Sequence, residues 1–164
     1  MPKIYLIEGP VGAGKSTFGL SLSKRLKVPC LVLDDWMANL FRPDRPETDV
    51  MLWYGERKER CIRQIWKIAS AAIESGSDAI VELGLITEES RASIYAQAQA
   101  KGYELTIYVL EPDREVRRER VKMRNQEQGE TFSMVVPDDF FELASDMWEP
   151  LTEAECAGQD VVFI

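Results

Sequence analysis

Residues 9–16 read Gly9-Pro10-Val11-Gly12-Ala13-Gly14-Lys15-Ser16 and match the pattern G-x-x-x-x-G-K-[S/T]. The preceding segment, Lys3–Glu8, has the apolar composition of a buried strand that ends at the first glycine. The following segment, Lys15–Leu26, has the apolar spacing of a helix. A strand, a glycine-rich turn and a helix in this order are the structural context of a phosphate-binding loop.

The residue types in this loop explain the ligand that we expect. Glycines let backbone N–H groups turn inward around phosphate oxygens, and the start of the helix adds its partial positive charge. Lys15 would neutralise the β- and γ-phosphates, and Ser16 would offer its hydroxyl to Mg²⁺. The alternative is a glycine-rich turn without a ligand. We predict that ten residues bind Mg·ATP: Gly9, Pro10, Val11, Gly12, Ala13, Gly14, Lys15, Ser16 and Thr17 of this segment, and Arg120 farther along the chain.

The absence of GTPase motifs and of histidine limits the functions and the catalytic groups that are possible. The chain has neither the Asn-Lys-x-Asp stretch that reads guanine nor an Asp-x-x-Gly switch, which argues against a GTPase and favours ATP. It also contains no histidine, so histidine general bases and histidine metal sites are excluded. A proton acceptor in this protein must therefore be a carboxylate, a lysine or water.

Strand-like and helix-like segments alternate along the remaining chain. We expect further strands at 30–33, 78–82, 104–110 and 161–164, and helices at 53–75, 87–101, 112–126 and after Pro137. This alternation predicts an α/β fold, with a parallel sheet and helices on both of its faces. Residues 1–164 suit one domain. The last of these helices is expected to have one apolar face, formed by Phe140, Leu143, Ala144 and Met147.

Carboxylates follow two of the predicted strands. Asp34 and Asp35 come after the second strand, which we expect to lie next to the phosphate-loop strand. Either could accept the proton of a substrate hydroxyl, and Asp35 could also bind the metal. We favour Asp35 as the base because Asp34 could cap the following turn; the alternative is that these residues only cap a helix. Glu82 ends the third strand and could hold a magnesium-bound water, unless it is merely an exposed strand end.

The segment from 114 to 124 is locally basic in an acidic protein. Arg117, Arg120 and Arg124 share one helical face at i, i+3 and i+7 spacing. Arginine matches phosphoryl oxygens in geometry and stays charged, so Arg120 and Arg124 are candidates for a mobile lid over the nucleotide, at about 113–134. The alternative is a solvated helix with glutamate partners, which fits Arg114 and Arg118 best.

Composition limits the partners and the compartment. A formal net charge of −8 would repel a long polyanion, which argues against a nucleic-acid partner. No apolar run is long enough to span a bilayer, so we expect no membrane partner. The first residues enter a predicted strand at once, so we expect no signal peptide. The cysteines, Cys30, Cys61 and Cys156, lack metal-ligand spacing, and we expect reduced thiols in a cytoplasmic protein.

Over nearly its whole length the chain resembles the kinase-like P-loop ATP-binding proteins grouped with zeta toxins, chloramphenicol phosphotransferases and polynucleotide kinases. The resemblance implies a three-layer P-loop NTPase fold with a five-stranded parallel sheet. It also implies Lys15 and Ser16 on Mg·ATP, a carboxylate base after the second strand, and Arg120 and Arg124 as lid arginines. The matching segments are the phosphate loop, Leu33-Asp34-Asp35, Glu82-Leu83-Gly84-Leu85 with Arg91, residues 117–125, Gly129-Glu130-Thr131-Phe132 and Trp148-Glu149-Pro150.

Together these features predict an ATP-dependent kinase that phosphorylates a hydroxyl of a small molecule, such as a nucleoside, sugar, sugar nucleotide or antibiotic. A polynucleotide 5′-hydroxyl kinase and a nucleotide-dependent regulatory protein with little turnover are the alternatives. Many proteins of this group hold adenine with residues after the last strand, whereas this chain ends at Ile164, so we expect the base to be held elsewhere. Candidate residues of the acceptor pocket are Trp36, Met37, Leu40, Phe41, Trp53 and Tyr54.

Overall fold

A computed structural model describes all residues from Met1 to Ile164. Five strands alternate with seven helices, as the sequence pattern predicts for an α/β fold. A short 3₁₀ helix, Arg42–Asp44, lies in the segment expected to be a loop. In chain order the elements are β1 Lys3–Glu8, α1 Lys15–Leu26, β2 Cys30–Val32, α2 Leu33–Leu40, α3 Val50–Glu74, β3 Ala79–Glu82, α4 Glu88–Lys101, β4 Glu104–Val109, α5 Arg114–Glu127, α6 Asp138–Asp146, α7 Glu153–Gly158 and β5 Asp160–Phe163.

The five strands form one parallel sheet in the order β2-β3-β1-β4-β5. The central strand β1 pairs with β3 through Leu6 and Val81, and with β4 through Leu6 and Ile107. The expectation that the second strand adjoins the phosphate-loop strand is wrong, because β3 lies between β2 and β1. The order of the strands along the chain does not fix their order in the sheet. The neighbour of β1 on this side is β3, the strand that ends at Glu82.

Helices cover both faces of the sheet, as predicted. On one face, Ile4 and Leu6 of β1 pack with residues of α3 and α4 in a cluster of 17 buried side chains. On the other face, Ile7 of β1 packs with Leu22 of α1. Alternate residues of one strand thus enter two cores, and burying each large aliphatic side chain stabilises the fold by about 1.5–3 kcal/mol. The strand ends are therefore held at fixed positions beside the phosphate loop.

Helix α6 packs through a different face from the one that the sequence indicates. Phe141 and Ser145 are buried, whereas Phe140, Leu143 and Met147 are about half exposed. Phe141 joins Val121 of α5 in a small separate core, which turns the predicted apolar face outward. The helix also ends at Asp146, before Pro150, the residue that the sequence predicts as its end.

Two further features complete the fold. The short helix α7 was not predicted, because six residues with small and polar side chains give no apolar period. Its N-terminus is held by a capping box between Thr152 and Glu155. No helix of this protein combines the length and the apolar character that crossing a membrane requires.

Candidate functional site

The phosphate loop lies between the end of β1 and the start of α1, at the carboxyl edge of the sheet. Gly9, Gly12 and Gly14 have φ angles of 151°, 76° and 93°, which residues with a Cβ rarely adopt. Gly14 precedes the first helical residue, and no side chain caps the N-terminus of α1. The first N–H groups of the helix are thus left for a ligand, which is the arrangement that binds phosphate.

Lys15 is held across this loop by backbone oxygens. Its Nζ donates to the carbonyl oxygens of Gly9 at 2.8 Å and of Pro10 at 2.9 Å. Ser16 and Thr17 follow it in the first turn of α1, Ser16 partly buried and Thr17 exposed. Nine of the ten predicted nucleotide-binding residues, 9–17, thus form one continuous segment at this edge of the sheet, and the tenth, Arg120, lies on α5.

Helix α5 rests directly on the phosphate loop. Arg117 donates from Nη1 to the carbonyl oxygen of Val11 at 2.9 Å, and Arg120 donates from Nη1 to that of Ala13 at 3.2 Å. A Cβ on Gly12 would lie 2.8 Å from the carbonyl oxygen of Arg117. The first half of α5 is thus fixed to the loop, and any mobile lid begins beyond it.

The arginines of α5 have different surroundings despite their shared face. Arg117 is buried and also donates to Ser145 Oγ at 3.0 Å, so its contacts are internal to the fold. Arg120 is exposed above the phosphate loop, and Arg124 is partly buried with its Nε unpaired. Arg114 and Arg118 form ion pairs with α6, Arg114 to Asp146 at 2.8 Å, and only Arg118 also pairs with a glutamate of its own helix, as the solvated-helix alternative expects.

Asp34 and Asp35 lie in the first turn of α2 and are both exposed. The helix begins at Leu33, before both aspartates, and no side chain caps it, so the cap on which the preference for Asp35 over Asp34 was based is absent. Asp35 instead accepts a hydrogen bond from the hydroxyl of Ser133, which lies in the segment between α5 and α6. The negative charge of Asp34 is felt by Tyr54, Lys58 and Glu82.

Glu82 is buried at the end of β3, with only 4% of its surface exposed, so it is not a solvated strand end. Burial raises the pKa of its carboxyl to about 7; the positive charge of Lys15 opposes this rise, and the negative charge of Asp34 adds to it. Burial raises the pKa of the Cys30 thiol to about 12, and the charges of Glu82 and Asp35 contribute. Glu82 is thus in the electrostatic environment of Lys15 and of Asp34.

The side chains of this site supply few protein ligands for magnesium. No group of three or more Asp, Glu, Cys or His side chains could hold a metal ion by itself. Ser16 and Glu82 supply one hydroxyl and one carboxylate near Lys15, which fits Mg²⁺ that keeps several waters and takes its other ligands from phosphates. Asp35 accepts a hydrogen bond from a hydroxyl and belongs to no cluster of acids, so it fits the role of a direct metal ligand less well.

Lys58 belongs to the candidate site, although the sequence did not predict it. It is partly buried on α3, and its Nζ donates to the carbonyl oxygen of Gly84 at 3.0 Å. Burial lowers the pKa of this ammonium, while the charges of Asp34 and Glu82 oppose the shift. A signal was present, since Lys58 follows Tyr54 by four residues and precedes the buried Cys61 by three, on the core-facing stripe of α3.

The residues predicted to line the acceptor pocket differ in their burial. Met37 is buried in the core, and Trp36, Phe41 and Tyr54 pack against its edge. Leu40 is 55% exposed. The guanidinium of Arg57 lies 4.5 Å from the ring centre of Trp53 and 6.0 Å from that of Phe41, so these rings are joined by a cation.

Comparison with known proteins places this geometry in a family. The sequence signature of an AAA domain family, AAA_33, matches residues 4–142. No protein of curated function is significantly similar in sequence.

Three solved structures share the fold. A candidate kinase from Chloroflexus aurantiacus J-10-fl has a TM-score of 0.73 at 16% identity, over 99% of this chain and 87% of its own. A sugar kinase from Janibacter sp. HTCC2649 has a TM-score of 0.66 at 14% identity, over 100% of this chain and 85% of its own. A gluconokinase from Sinorhizobium meliloti 1021 has a TM-score of 0.58 at 17% identity, over 99% and 82%.

Proposed function

The chain belongs to the AAA domain family AAA_33, and from this premise we propose that it is a kinase that transfers the γ-phosphoryl group of ATP to a hydroxyl of a small molecule. One observation carries the proposal: a buried acid, Glu82, lies in the electrostatic environment of both Lys15 and Asp34. A loop that only bound a nucleotide would not need acids at the ends of both β2 and β3. Kinase chemistry uses such acids to hold the metal's water and the acceptor.

Each part of the loop has a role when Mg·ATP is bound. The N–H groups at the start of α1 would hold phosphate oxygens, and Lys15 would exchange its carbonyl partners for the β- and γ-phosphates. Ser16 would bind Mg²⁺ directly, and Glu82 would accept a hydrogen bond from a magnesium-bound water. The metal itself would neutralise charge that develops on the transferred group.

Asp35 is the proposed base. Its carboxylate already accepts a hydrogen bond from a hydroxyl, that of Ser133, which is the contact that an acceptor hydroxyl would make. Asp34 faces Lys58 and Tyr54 instead, where it would keep the acceptor side of the site polar. The acceptor would therefore enter between α2 and α3, beside the Arg57 and Trp53 pair.

The proposed lid begins later in the chain than the sequence indicates. Because Arg117 and Val121 are packed against the phosphate loop, the mobile part would begin near residue 122 and extend to about 135. Arg120 would act from the fixed part, next to the phosphate loop, and Arg124 from the mobile part. Arginines in these positions would neutralise the transferred group as it leaves ADP.

A screen tests the proposal. The protein would be incubated with Mg·ATP labelled at the γ-phosphate and with panels of sugars, nucleosides, sugar nucleotides and aminoglycoside-like antibiotics, and labelled products would be separated. Transfer to one panel is the expected result, and a Lys15→Ala variant is the control for contaminating kinases. ATP binding without transfer to any acceptor would contradict the kinase and favour a nucleotide-dependent regulatory protein. Transfer to a 5′-hydroxyl oligonucleotide alone would favour the polynucleotide kinase instead.

A further inference from the structure

The segment between α5 and α6 is closed at its base and crosses to the other side of the site. The amide of Asn125 donates from Nδ2 to the carbonyl oxygen of Val136 at 2.8 Å, and its Oδ1 accepts from the N–H of Val136 at 3.0 Å. This reciprocal pair closes residues 126–135 into a loop, which we call the lid loop. Glu130 of the lid loop pairs with Lys24 of α1 at 3.9 Å.

Ser133 brings a hydroxyl of the lid loop to the proposed base. Its Oγ donates to the Asp35 carboxylate, although the two residues are 98 positions apart in the chain. Arg120 lies in the fixed part of α5, before the lid loop, and donates to the carbonyl oxygen of Ala13 in the phosphate loop. Helix α5 and the lid loop that follows it thus place an arginine at the phosphate loop and a hydroxyl at the acid that would activate an acceptor.

We propose that Ser133 is a modification site: without an acceptor, the protein transfers the γ-phosphoryl group of its own bound ATP to the Ser133 hydroxyl. This inference rests on the proposed kinase function and goes beyond it, because it assigns a second acceptor within the chain. Thr131 lies two residues away in the lid loop, and its hydroxyl does not bond to Asp34 or Asp35. The position of the hydroxyl, rather than the residue type, selects Ser133.

The step balances without a further reactant. Ser133 Oγ attacks the γ-phosphorus of Mg·ATP, a bond forms between them, and the bond from the γ-phosphorus to the β–γ bridging oxygen breaks. ADP leaves with the electron pair of that bond. The hydroxyl proton passes to the Asp35 carboxylate and then to water. The product places a phosphate of nearly two negative charges beside Asp35, and the repulsion would release the lid loop from α2.

The experiment uses the full chain, Mg·ATP and no acceptor, with the products read by intact-mass and peptide mass spectrometry. We expect one phosphoryl group per chain on the peptide that contains Ser133, at a rate independent of protein concentration. Ser133→Ala should remove the modification and Ser133→Thr should restore it on the threonine. Thr131→Ala is the matched control and should be phosphorylated like the parent. Lys15→Ala should carry none.

Each other outcome overturns the proposal in a distinguishable way. Transfer to a small molecule without phosphate on Ser133 rejects the modification site and leaves the kinase standing. Phosphate on Thr131 or elsewhere rejects the assignment of Ser133. Phosphate on Ser133 in Lys15→Ala shows that another kinase added it. If calorimetry shows ATP binding but neither the chain nor any acceptor is phosphorylated, this proposal and the kinase function fail together.

Discussion

The proposed role of Lys15 depends on its contacts within the phosphate loop. Its ammonium is bonded to two carbonyl oxygens of that loop, those of Gly9 and Pro10. Binding a nucleotide would exchange neutral acceptors for charged ones, and such charge-assisted hydrogen bonds are about twice as strong as neutral ones.

Replacing this lysine tests the phosphate loop. Lys15→Ala should weaken ATP binding at least tenfold, about 1.4 kcal/mol, because it removes the only lysine bonded within the loop. Calorimetry with Mg·ATP measures the effect. Lys24→Ala is the control, since Lys24 lies on the same helix and is 67% exposed. Equal affinity of Lys15→Ala and the parent would contradict the assignment of the loop.

The two aspartates of α2 are separated by a pair of isosteric variants. Asp35→Asn keeps the shape of the side chain but cannot take a proton, so turnover on the acceptor should fall by roughly 10²–10⁴-fold. Affinity for ATP should be nearly unchanged, because the loop and Lys15 remain. Asp34→Asn should have a smaller effect. If only Asp34→Asn abolishes transfer, the two roles are exchanged, and if neither variant loses tenfold, neither residue is the base.

Glu8 gives the fold a pH dependence of definite sign. It ends β1, is 2% exposed, and both of its oxygens lie 3.1 Å from the Tyr95 hydroxyl. Burial raises its pKa from 4.5 to about 8, against the hydrogen bond from Tyr95 and the charge of Arg91. A raised pKa means that the folded state holds the proton more tightly. The contribution of Glu8 to stability is therefore complete below about pH 4.5 and is lost as the pH rises through about 8.

The variant Glu8→Gln should remove this dependence. It stays neutral at every pH and can still accept the hydrogen bond from Tyr95, so its melting temperature should rise relative to the parent between about pH 4.5 and about pH 8. Glu82 contributes a slope of the same sign, so the dependence should flatten rather than vanish. Thermal unfolding of both proteins across this range is the measurement, and parallel curves would refute the role of Glu8.

At the scale of elements, the helices differ in how much of them a sequence can predict. The helices α3 and α4 were found with nearly correct bounds, because Ile65, Trp66 and Ala69 repeat with the period of a helix and Thr87 caps α4. In α6 two sets of residues have helical spacing. The more apolar set, which includes Phe140 and Leu143, predicts one buried face, whereas the structure buries the face that carries Phe141 and Ser145. Phe141 is buried because Val121 lies opposite, a tertiary contact that the local sequence cannot encode.

The lid arginines are expected to act late in the reaction. Arg120→Ala and Arg124→Ala should lower turnover more than they weaken ATP binding, because their charges matter most when the phosphoryl group is transferred. The kcat and KM of each variant on the identified acceptor, with ATP affinity from calorimetry, measure the difference. Lys122→Ala is the control, because Lys122 is an exposed cation of the same helix that pairs with the exposed Glu119. Parental turnover in both arginine variants would reduce α5 to a structural helix.

For the molecule as a whole, fold class and family were predictable and the site only in part. Membership of a P-loop family and the five-stranded parallel sheet are confirmed by the family match and the shared fold. Motif residues are close in sequence, so the phosphate loop could be predicted from its spacing alone. Lys58 had a partial signal, its position on the core-facing stripe of α3. Ser133 meets Asp35 only through the course of the lid loop, and no local pattern contains that information.

A buried ion pair connects the C-terminal part to the rest of the fold. Arg91 of α4 is fully buried and binds Glu155 of α7 through Nε at 2.6 Å and through Nη2 at 3.0 Å. Arg91→Leu should destabilise the protein by about 3–5 kcal/mol, because it leaves the Glu155 charge buried and unpaired. Lys101→Ala, which breaks the exposed pair with Glu74, should change stability by less than about 1 kcal/mol. Denaturant unfolding measures both, and equal effects would contradict the argument.

Gly12 occupies a position that the phosphate-binding pattern leaves open to any residue. Here its φ of 76° and a distance of 2.8 Å from a would-be Cβ to both the Arg117 carbonyl oxygen and Val121 Cγ2 exclude other side chains. This glycine is thus required by α5 rather than by the nucleotide. An engineer who transplanted residues 9–16 into another scaffold would have to bring α5 along, and one who exchanged α5 would have to redesign the variable residues of the loop.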